Sequence, residues 1–189
     1  MENKCPEIRL YAGPNGSGKS TITVETNIIP PYINADNIQR ERNITNMEAA
    51  RLATQMRNDA VDARRSFTFE TVLSTDRNLL LLERAKASGY FVRCSYVLTV
   101  DPKLNTMRVE SRFRNGGHDV PKDKIISRYY KALGLIPRLI LVCDCLNIYD
   151  NTLLEPVRIF QKRDDKYTVF ENEVWAKDEI LNLVTLGHK

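Results

Sequence analysis

The feature that most restricts how this chain can fold is a glycine-rich loop near its start. Residues Gly13 to Ser20, read as GPNGSGKS, fit the pattern G-x-x-x-x-G-K-[ST] at every position. The preceding residues, Glu7 to Ala12, form a short apolar segment typical of a strand, and Ser20 to Thr26 are typical of a helix. The sequence therefore predicts a strand, a phosphate-binding loop and a helix in that order, which is the context that this motif requires.

The residue types in this loop suit the binding of a nucleoside triphosphate. Glycines let successive backbone N–H groups turn towards phosphate oxygens, and the following helix adds the positive end of its dipole. Lys19 can reach the β- and γ-phosphates, and the Ser20 hydroxyl can ligate Mg²⁺. We predict that ATP binds to Gly13, Pro14, Asn15, Gly16, Ser17, Gly18, Lys19, Ser20 and Thr21. The loop alone does not distinguish a GTPase, motor, switch or kinase.

Strand-like and helix-like segments alternate at least four times along the chain. The Thr45–Glu48 capping box followed by apolar residues at helical spacing is one of the helix signals. The strands are expected at residues 7–12, 32–34, 66–73, 90–100, 147–150, 156–161 and 167–170. The helices are expected at 20–26, 46–64, from a cap at Ser74 or Thr75 to Gly89, at 103–114, at 122–145 with a kink near Pro137, and at 174–183. This order predicts an α/β fold, a P-loop NTPase three-layer sandwich with a mostly parallel sheet.

The overall composition restricts the class of protein further. The 189 residues are the length of one domain, so we expect a single kinase-like domain over 1–189. The net charge of +4 is mild, and the sequence contains no RNA-binding motif and no zinc-finger spacing. These features disfavour a nucleic acid partner. No apolar run has the ~20 residues of a membrane helix, and the first residues do not resemble a signal peptide. We therefore expect a cytoplasmic location and reduced, structural cysteines.

Two carboxylates follow predicted strands whose ends should lie near the loop. Asp36 comes after the strand at 32–34, and a kinase needs a base near the γ-phosphate to accept a proton from the acceptor hydroxyl. Glu70, next to Thr71, lies near the end of a largely buried strand, where an acid is costly unless it is paired or used. We interpret Asp36 as either that base or a helix-capping residue. Glu70 could order the acceptor, bind Mg²⁺ through water, or be an exposed edge carboxylate.

An arginine-rich segment interrupted by glycines predicts a movable lid over about residues 103–130. Arg108, Arg112, Arg114 and Arg128 flank the run Asn115-Gly-Gly-His118. Guanidinium groups provide planar pairs of donors for the charge of a transferring phosphoryl group. The residues alone do not decide which of the first three arginines contacts phosphate, and we interpret His118 as structural. Asp144 and Asp150 are further candidate Mg²⁺ ligands that could equally be structural.

With these motifs in view, the chain resembles the zeta toxin family of P-loop kinases. The resemblance extends from about residue 8 to 151. It rests on Gly13–Ser20, Asn34-Ala-Asp36, Phe69-Glu70-Thr71, the R-x-x-x-G-G-H-x-V-P run from Arg112 to Pro121, Arg128, and Tyr149-Asp150-Asn151.

The resemblance implies a reaction and a role for each matched residue. Zeta toxins phosphorylate the sugar 3′-hydroxyl of UDP-N-acetylglucosamine with ATP and Mg²⁺, so it implies a sugar nucleotide acceptor. It makes Lys19 the phosphate-binding lysine, Asp36 the base, and Arg112 and Arg128 the arginines that hold the γ-phosphate. Glu70 and Thr71 then belong to the substrate site, Ser20 to the metal site, and a protein antitoxin is an expected partner.

Two other readings stay open on the sequence alone. A nucleotide, nucleoside or polynucleotide-end kinase would share the fold, and the positive charge suits a phosphorylated acceptor. An ATP-dependent binding or switch protein would use the same arginines to sense the nucleotide for a protein partner.

Overall fold

The fold is known from a computed structural model that describes residues 5–24, 27–114 and 120–185. Within these ranges, seven strands form one sheet in the order β2-β3-β1-β4-β5-β6-β7. The first five strands are parallel to one another, whereas β6 and β7 add an antiparallel hairpin at one edge. Their bounds are β1 Glu7–Ala12, β2 Tyr32–Ile33, β3 Phe67–Thr71, β4 Phe91–Leu98, β5 Cys145–Asp150, β6 Val157–Arg163 and β7 Lys166–Val169. The predicted α/β architecture with a mostly parallel sheet is confirmed.

The helices in the described ranges largely occupy the predicted positions. The Thr45–Glu48 capping box is formed in both directions, with Thr45 Oγ1 accepting from the Glu48 N–H at 3.3 Å and Glu48 Oε2 accepting from the Thr45 N–H at 2.9 Å. The bounds are α1 Lys19–Val24, α2 Ala35–Arg42, α3 Asn46–Asp62, α4 Arg77–Ala87, α5 Pro102–Arg114, α6 Lys122–Gly134, α7 Ile136–Val142 and α8 Lys177–Val184.

The helices differ from the prediction at several places. Helix α2 was not predicted. Ser74 and Thr75 do not cap α4, because the residue at its N-cap position is Asp76 and the helix begins at Arg77. The expected helix over 122–145 is two helices, because α6 ends at Gly134 and Pro137 lies in the first turn of α7, a position that suits proline. The chain then leaves helical geometry at Cys143, so Cys145 begins β5 instead of ending a helix.

The two faces of the sheet bury separate apolar clusters because side chains alternate along each strand. On one face Ile8 and Leu10 of β1 join a large core formed with α3, α4, α7 and α8. On the other face Tyr11, Val97 and Ile22 of α1 form a small cluster. The sheet is thus covered on both sides, as the three-layer prediction required. Of the helices in the described ranges, none combines the length and the apolar character needed to span a membrane.

The position of β1 determines where a ligand can bind. From β1 the chain proceeds to β2 and β3 on one side and later to β4 and β5 on the other, so β1 is the point where the strand order reverses. In open parallel sheets the crevice for ligands lies beyond the carboxyl end of such a strand. The phosphate loop leaves β1 at that end.

Candidate active site

The phosphate loop has a backbone conformation that favours glycine at three of its positions, Gly13, Gly16 and Gly18. Gly13 has φ of 143° and Gly18 has φ of 91°, a region that residues with a Cβ rarely adopt. A Cβ on Gly13 would lie 2.0 Å from the Val97 carbonyl oxygen, and one on Gly18 would lie 2.0 Å from Asn151 Nδ2. The loop is therefore packed tightly against β4 and the end of β5, with its open side towards the ligand crevice.

Two asparagines that sequence reasoning did not single out for this role hold the loop in place. Asn105 Nδ2 of α5 donates to the Asn15 carbonyl at 2.7 Å, and Asn151 Nδ2 donates to the Ser17 carbonyl at 2.8 Å. Both side chains are buried, and Thr99 Oγ1 donates to Asn105 Oδ1. Asn151 lies in the late motif noted above, which was a usable signal. A lone asparagine within a helix, as at Asn105, gave none.

Lys19 lies under the loop with its ammonium group directed at the loop itself. Its Nζ donates to the carbonyls of Gly13 at 2.8 Å and Pro14 at 2.9 Å, and the residue is only 8% exposed. Burial lowers the pKa of Lys19, an effect that the nearby carboxylates of Glu70 and Asp36 oppose. A buried ammonium group held only by carbonyl oxygens has a strong electrostatic preference for an incoming phosphate.

A cleft of about 540 Å³ brings the predicted site residues together. It is lined by Lys19 and by both expected carboxylates, Asp36 and Glu70, and also by Arg112 and Arg128. Five side chains from α1, α2, β3, α5 and α6 therefore meet at one crevice beyond the sheet. The same cleft includes Thr71, Asn15 and Gly16.

Asp36 is exposed in the first turn of α2, and its carboxylate is not the helix cap. The capping side chain is Asn34, whose Oδ1 accepts from the backbone N–H groups of Asp36 at 2.8 Å and Asn37 at 3.2 Å. No residue in the described ranges donates a hydrogen bond to the Asp36 carboxylate. The alternative reading of Asp36 as a capping residue is therefore wrong, and its carboxylate is free to face a ligand in the cleft.

Glu70 is held in a fixed orientation by the strand beside it. Tyr32 donates from its hydroxyl to Glu70 Oε2 at 2.9 Å, and Asn34 Nδ2 donates to the Tyr32 oxygen at 3.1 Å. Burial, and then the Glu70 carboxylate, raise the pKa of Tyr32, so the phenol remains a donor. Thr71 accepts from Asn78 Nδ2 at 2.7 Å and from the Leu73 N–H at 3.1 Å. Glu70 thus lines the cleft with one carboxylate oxygen already fixed by Tyr32.

The arginines of the expected lid have different surroundings. Arg108 donates to the carbonyl oxygens of Asn151 at 2.8 Å and Thr152 at 3.5 Å, which ties α5 to the end of β5. Arg112 lies one turn further along α5 and lines the cleft with half-buried Arg128, whereas Arg114 is exposed and does not line it. The expected hinge at Asn115, Gly116 and Gly117, together with His118, lies outside the described residues.

These surroundings predict different effects for two neighbouring substitutions. Arg112→Gln should lower kcat by about 10- to 100-fold, the loss of one charge-assisted hydrogen bond, because Arg128 remains beside it. Its melting temperature should stay unchanged, since Arg112 is exposed. Arg108→Gln should chiefly lower the melting temperature by removing two contacts to the β5 end. Steady-state kinetics and thermal denaturation of both variants test this, and equal kinetic losses would contradict it.

In the described residues, the candidate ligand for a metal ion is the Ser20 hydroxyl and not a cluster of acidic side chains. Ser20 is exposed directly after Lys19, and no group of three or more histidine, cysteine, aspartate or glutamate side chains is placed to hold a metal within the described ranges. Mg²⁺ commonly keeps water and substrate phosphates and takes few protein ligands, so Ser20 fits this ion. Asp144 instead pairs with Lys86 and accepts from the Val92 N–H at 2.8 Å, and buried Asp150 accepts from Thr152. Neither lines the cleft.

Comparison with known proteins finds a matching family, a sequence relative and structures of similar fold. The model of the family described as "Zeta toxin" matches residues 24–174, which begins just after the phosphate loop. An uncharacterized protein of Haemophilus influenzae is 28% identical over 135 residues, covering 68% of this chain and 94% of its own length.

Two solved structures share the fold at low sequence identity. The crystal structure of AvrRxo1-ORF1:-ORF2 with ATP has a TM-score of 0.71 and 15% identity, covering 99% of this chain and 67% of that one. The PezAT chromosomal toxin-antitoxin system of Streptococcus pneumoniae has a TM-score of 0.58 and 18% identity, covering 85% of this chain and 73% of that one.

Proposed function

This chain belongs to the zeta toxin family, and from that premise we propose that it is an ATP-dependent kinase acting on a hydroxyl of a small acceptor. The observation that carries the proposal is the meeting of Lys19, Asp36, Glu70, Arg112 and Arg128 at one cleft beside the phosphate loop. A nucleotide switch needs the loop and a sensor, but it has no need of a free carboxylate beside them. A kinase needs that carboxylate to accept the proton of its acceptor.

Each side chain has a role that follows from its position. The loop amides and Lys19 hold the β- and γ-phosphates, and Arg112 and Arg128 offset the charge that develops on the transferring group. Asp36 accepts the acceptor's proton while the acceptor oxygen bonds to the γ-phosphorus and the bond to ADP breaks. Glu70, fixed by Tyr32, orients the acceptor. Mg²⁺ bound through Ser20 and the phosphates would neutralise phosphate charge.

The acceptor that we propose is a sugar nucleotide, with the 3′-hydroxyl of UDP-N-acetylglucosamine as the first choice. Family membership supports this choice, and so does the charge of the cleft. In the described residues, six cationic and two acidic side chains line it, which suits an acceptor that carries phosphate of its own. The segment at about 103–130 serves as the lid in this proposal.

Product analysis across an acceptor panel tests the proposal directly. The protein is incubated with ATP, Mg²⁺ and UDP-N-acetylglucosamine, other sugar nucleotides, nucleosides, nucleotides or RNA ends, and the products are identified by mass spectrometry. We expect one added phosphoryl group on the sugar of UDP-N-acetylglucosamine. Product only from nucleosides, nucleotides or RNA ends would replace that acceptor, and ATP hydrolysis without any phosphorylated acceptor would contradict the kinase proposal.

We also propose a protein antitoxin as partner. The support comes from the two structural relatives, one of which is a toxin-antitoxin system and the other an ORF1:ORF2 complex. Co-expression with the adjacent open reading frame, followed by purification of a stable complex with reduced kinase activity, is the corresponding measurement.

A further inference from the structure

Two arginines in the wall of the cleft have no role in the chemistry proposed above. Arg57 projects from α3 and is 7% exposed, and Arg77 begins α4. Both line the cleft, and both also line an adjoining hollow of about 210 Å³ that contains none of the described phosphate-loop residues. In the described residues this hollow is formed by α3 and α4, whereas phosphate-loop residues line only the cleft.

The Arg57 guanidinium is buried with few of its donors satisfied. Its Nη2 donates to Thr54 Oγ1 at 3.1 Å, and its Cζ lies 5.2 Å from the centre of the Phe69 ring. Its Nε is buried without a hydrogen-bond partner. Arg57 and Glu70 line the same cleft, so the guanidinium shares that cleft with the proposed acceptor site.

No carboxylate in the described ranges forms an ion pair with either arginine. Burial, and then the like charge of Arg77, lower the pKa of Arg57 to about 10. A buried cation without an anionic partner destabilises a fold unless a ligand supplies the anion. The guanidinium plane matches phosphate oxygens particularly well.

We propose that Arg57 and Arg77 form an anion subsite that binds a phosphate group of the acceptor, remote from the hydroxyl that reacts. This inference rests on the proposed kinase function and deepens it. Lys19, Arg112 and Arg128 serve the phosphates of ATP, and Arg57 and Arg77 serve the acceptor. With its phosphate held on α3 and α4, the acceptor places its hydroxyl between the subsite and the loop, where Asp36 and Glu70 line the cleft.

Kinetics of Arg57→Met and Arg77→Met test the subsite. Each substitution should raise KM for a phosphorylated acceptor at least tenfold, while KM for ATP changes less than twofold and kcat less than about threefold. Arg51→Met is the matched control, because Arg51 is exposed on the same helix and does not line the cleft. Unchanged acceptor KM in both variants would overturn the subsite.

Thermal stability separates binding from a structural role for Arg57. If the guanidinium is retained for an acceptor, Arg57→Met should keep or raise the melting temperature, because it removes an unpaired buried charge at similar volume. A lowered melting temperature with unchanged acceptor KM would show that Arg57 only supports Thr54 and Phe69. Arg77 is exposed, so Arg77→Met keeps the test valid even if Arg57→Met folds poorly.

A binding measurement that needs no turnover separates this inference from the kinase proposal. Inorganic pyrophosphate is titrated by calorimetry into Lys19→Met protein, in which the ATP loop is weakened, and into the same protein with Arg57→Met or Arg77→Met added. We expect at least a tenfold loss of pyrophosphate affinity from either addition. Equal affinities would overturn the subsite whatever the activity. A loss of affinity in a protein that phosphorylates no acceptor would retain the subsite and reject the kinase.

Discussion

Asp36→Asn should lower kcat by about 10² to 10⁴, the usual contribution of a positioned general base, and should leave ATP binding intact. Asparagine cannot accept the proton of the acceptor hydroxyl. The substitution also removes one of the two carboxylates that face Lys19 across the cleft, so ATP affinity should stay equal or rise slightly. The cap of α2 is preserved because it is made by Asn34 to backbone N–H groups. Single-turnover phosphoryl transfer and ATP calorimetry measure both effects.

The matched control for this variant is Glu41→Gln, which neutralises an exposed acid on the same helix outside the cleft. Asp36→Asn removes an acid from the first turn of α2 and should therefore cost about 0.3–1 kcal/mol of stability. Both variants are for this reason compared well below the melting temperature. Turnover within threefold of the unmodified protein would remove Asp36 as the base. Glu70→Gln is then the next variant to measure, since Glu70 is the other carboxylate in the cleft.

Lys19→Met should remove most ATP affinity and lower kcat by a further factor of about 10² to 10³, the cost of losing one donor to a developing phosphate charge. The side-chain length is kept, but the ammonium group that faces the phosphates is gone. Two effects of this substitution on the stability of the ATP-free protein oppose each other. The carbonyls of Gly13 and Pro14 lose their donor, while an ammonium whose burial lowers its pKa is removed. The melting temperature should therefore change by less than about 5 °C.

Lys103→Met provides the control for Lys19, because Lys103 is an exposed lysine in the first turn of α5 and does not line the cleft. ATP affinity is measured by calorimetry in the presence of Mg²⁺. ATP binding that is unchanged in Lys19→Met would mean that the loop amides alone hold the nucleotide, and it would contradict the role assigned to Lys19.

The parts of this molecule that the sequence predicted are those determined by local patterns. The phosphate loop, the capping box of α3 and the alternation of strands and helices each depend on residues close together in the chain. The positions of Asp36 and Glu70 could be inferred because carboxyl ends of parallel strands meet at one edge. Arg112 and Arg128 needed the family resemblance, since arginines on exposed helix faces are common.

The residues that were missed act across long sequence distances. Asn105 contacts a loop residue 90 positions earlier, and Asn151 contacts one 134 positions earlier. The burial of Arg57 depends on β3 and α4, which no helical periodicity of α3 reveals. Such assignments require the packed structure.

The fastening of α5 limits how the proposed lid can work. Asn105 joins the helix to the phosphate loop and Arg108 joins it to the end of β5, so the first two turns of α5 are part of the nucleotide site itself. Arg112 lies only about 6 Å further along the helix axis. Any closing movement of the proposed lid therefore begins beyond Arg108 and is short. A nucleotide that displaces Asn15 must also act on α5, the helix that carries Arg112. ATP binding at the phosphate loop and the position of Arg112 are in this way coupled before an acceptor binds.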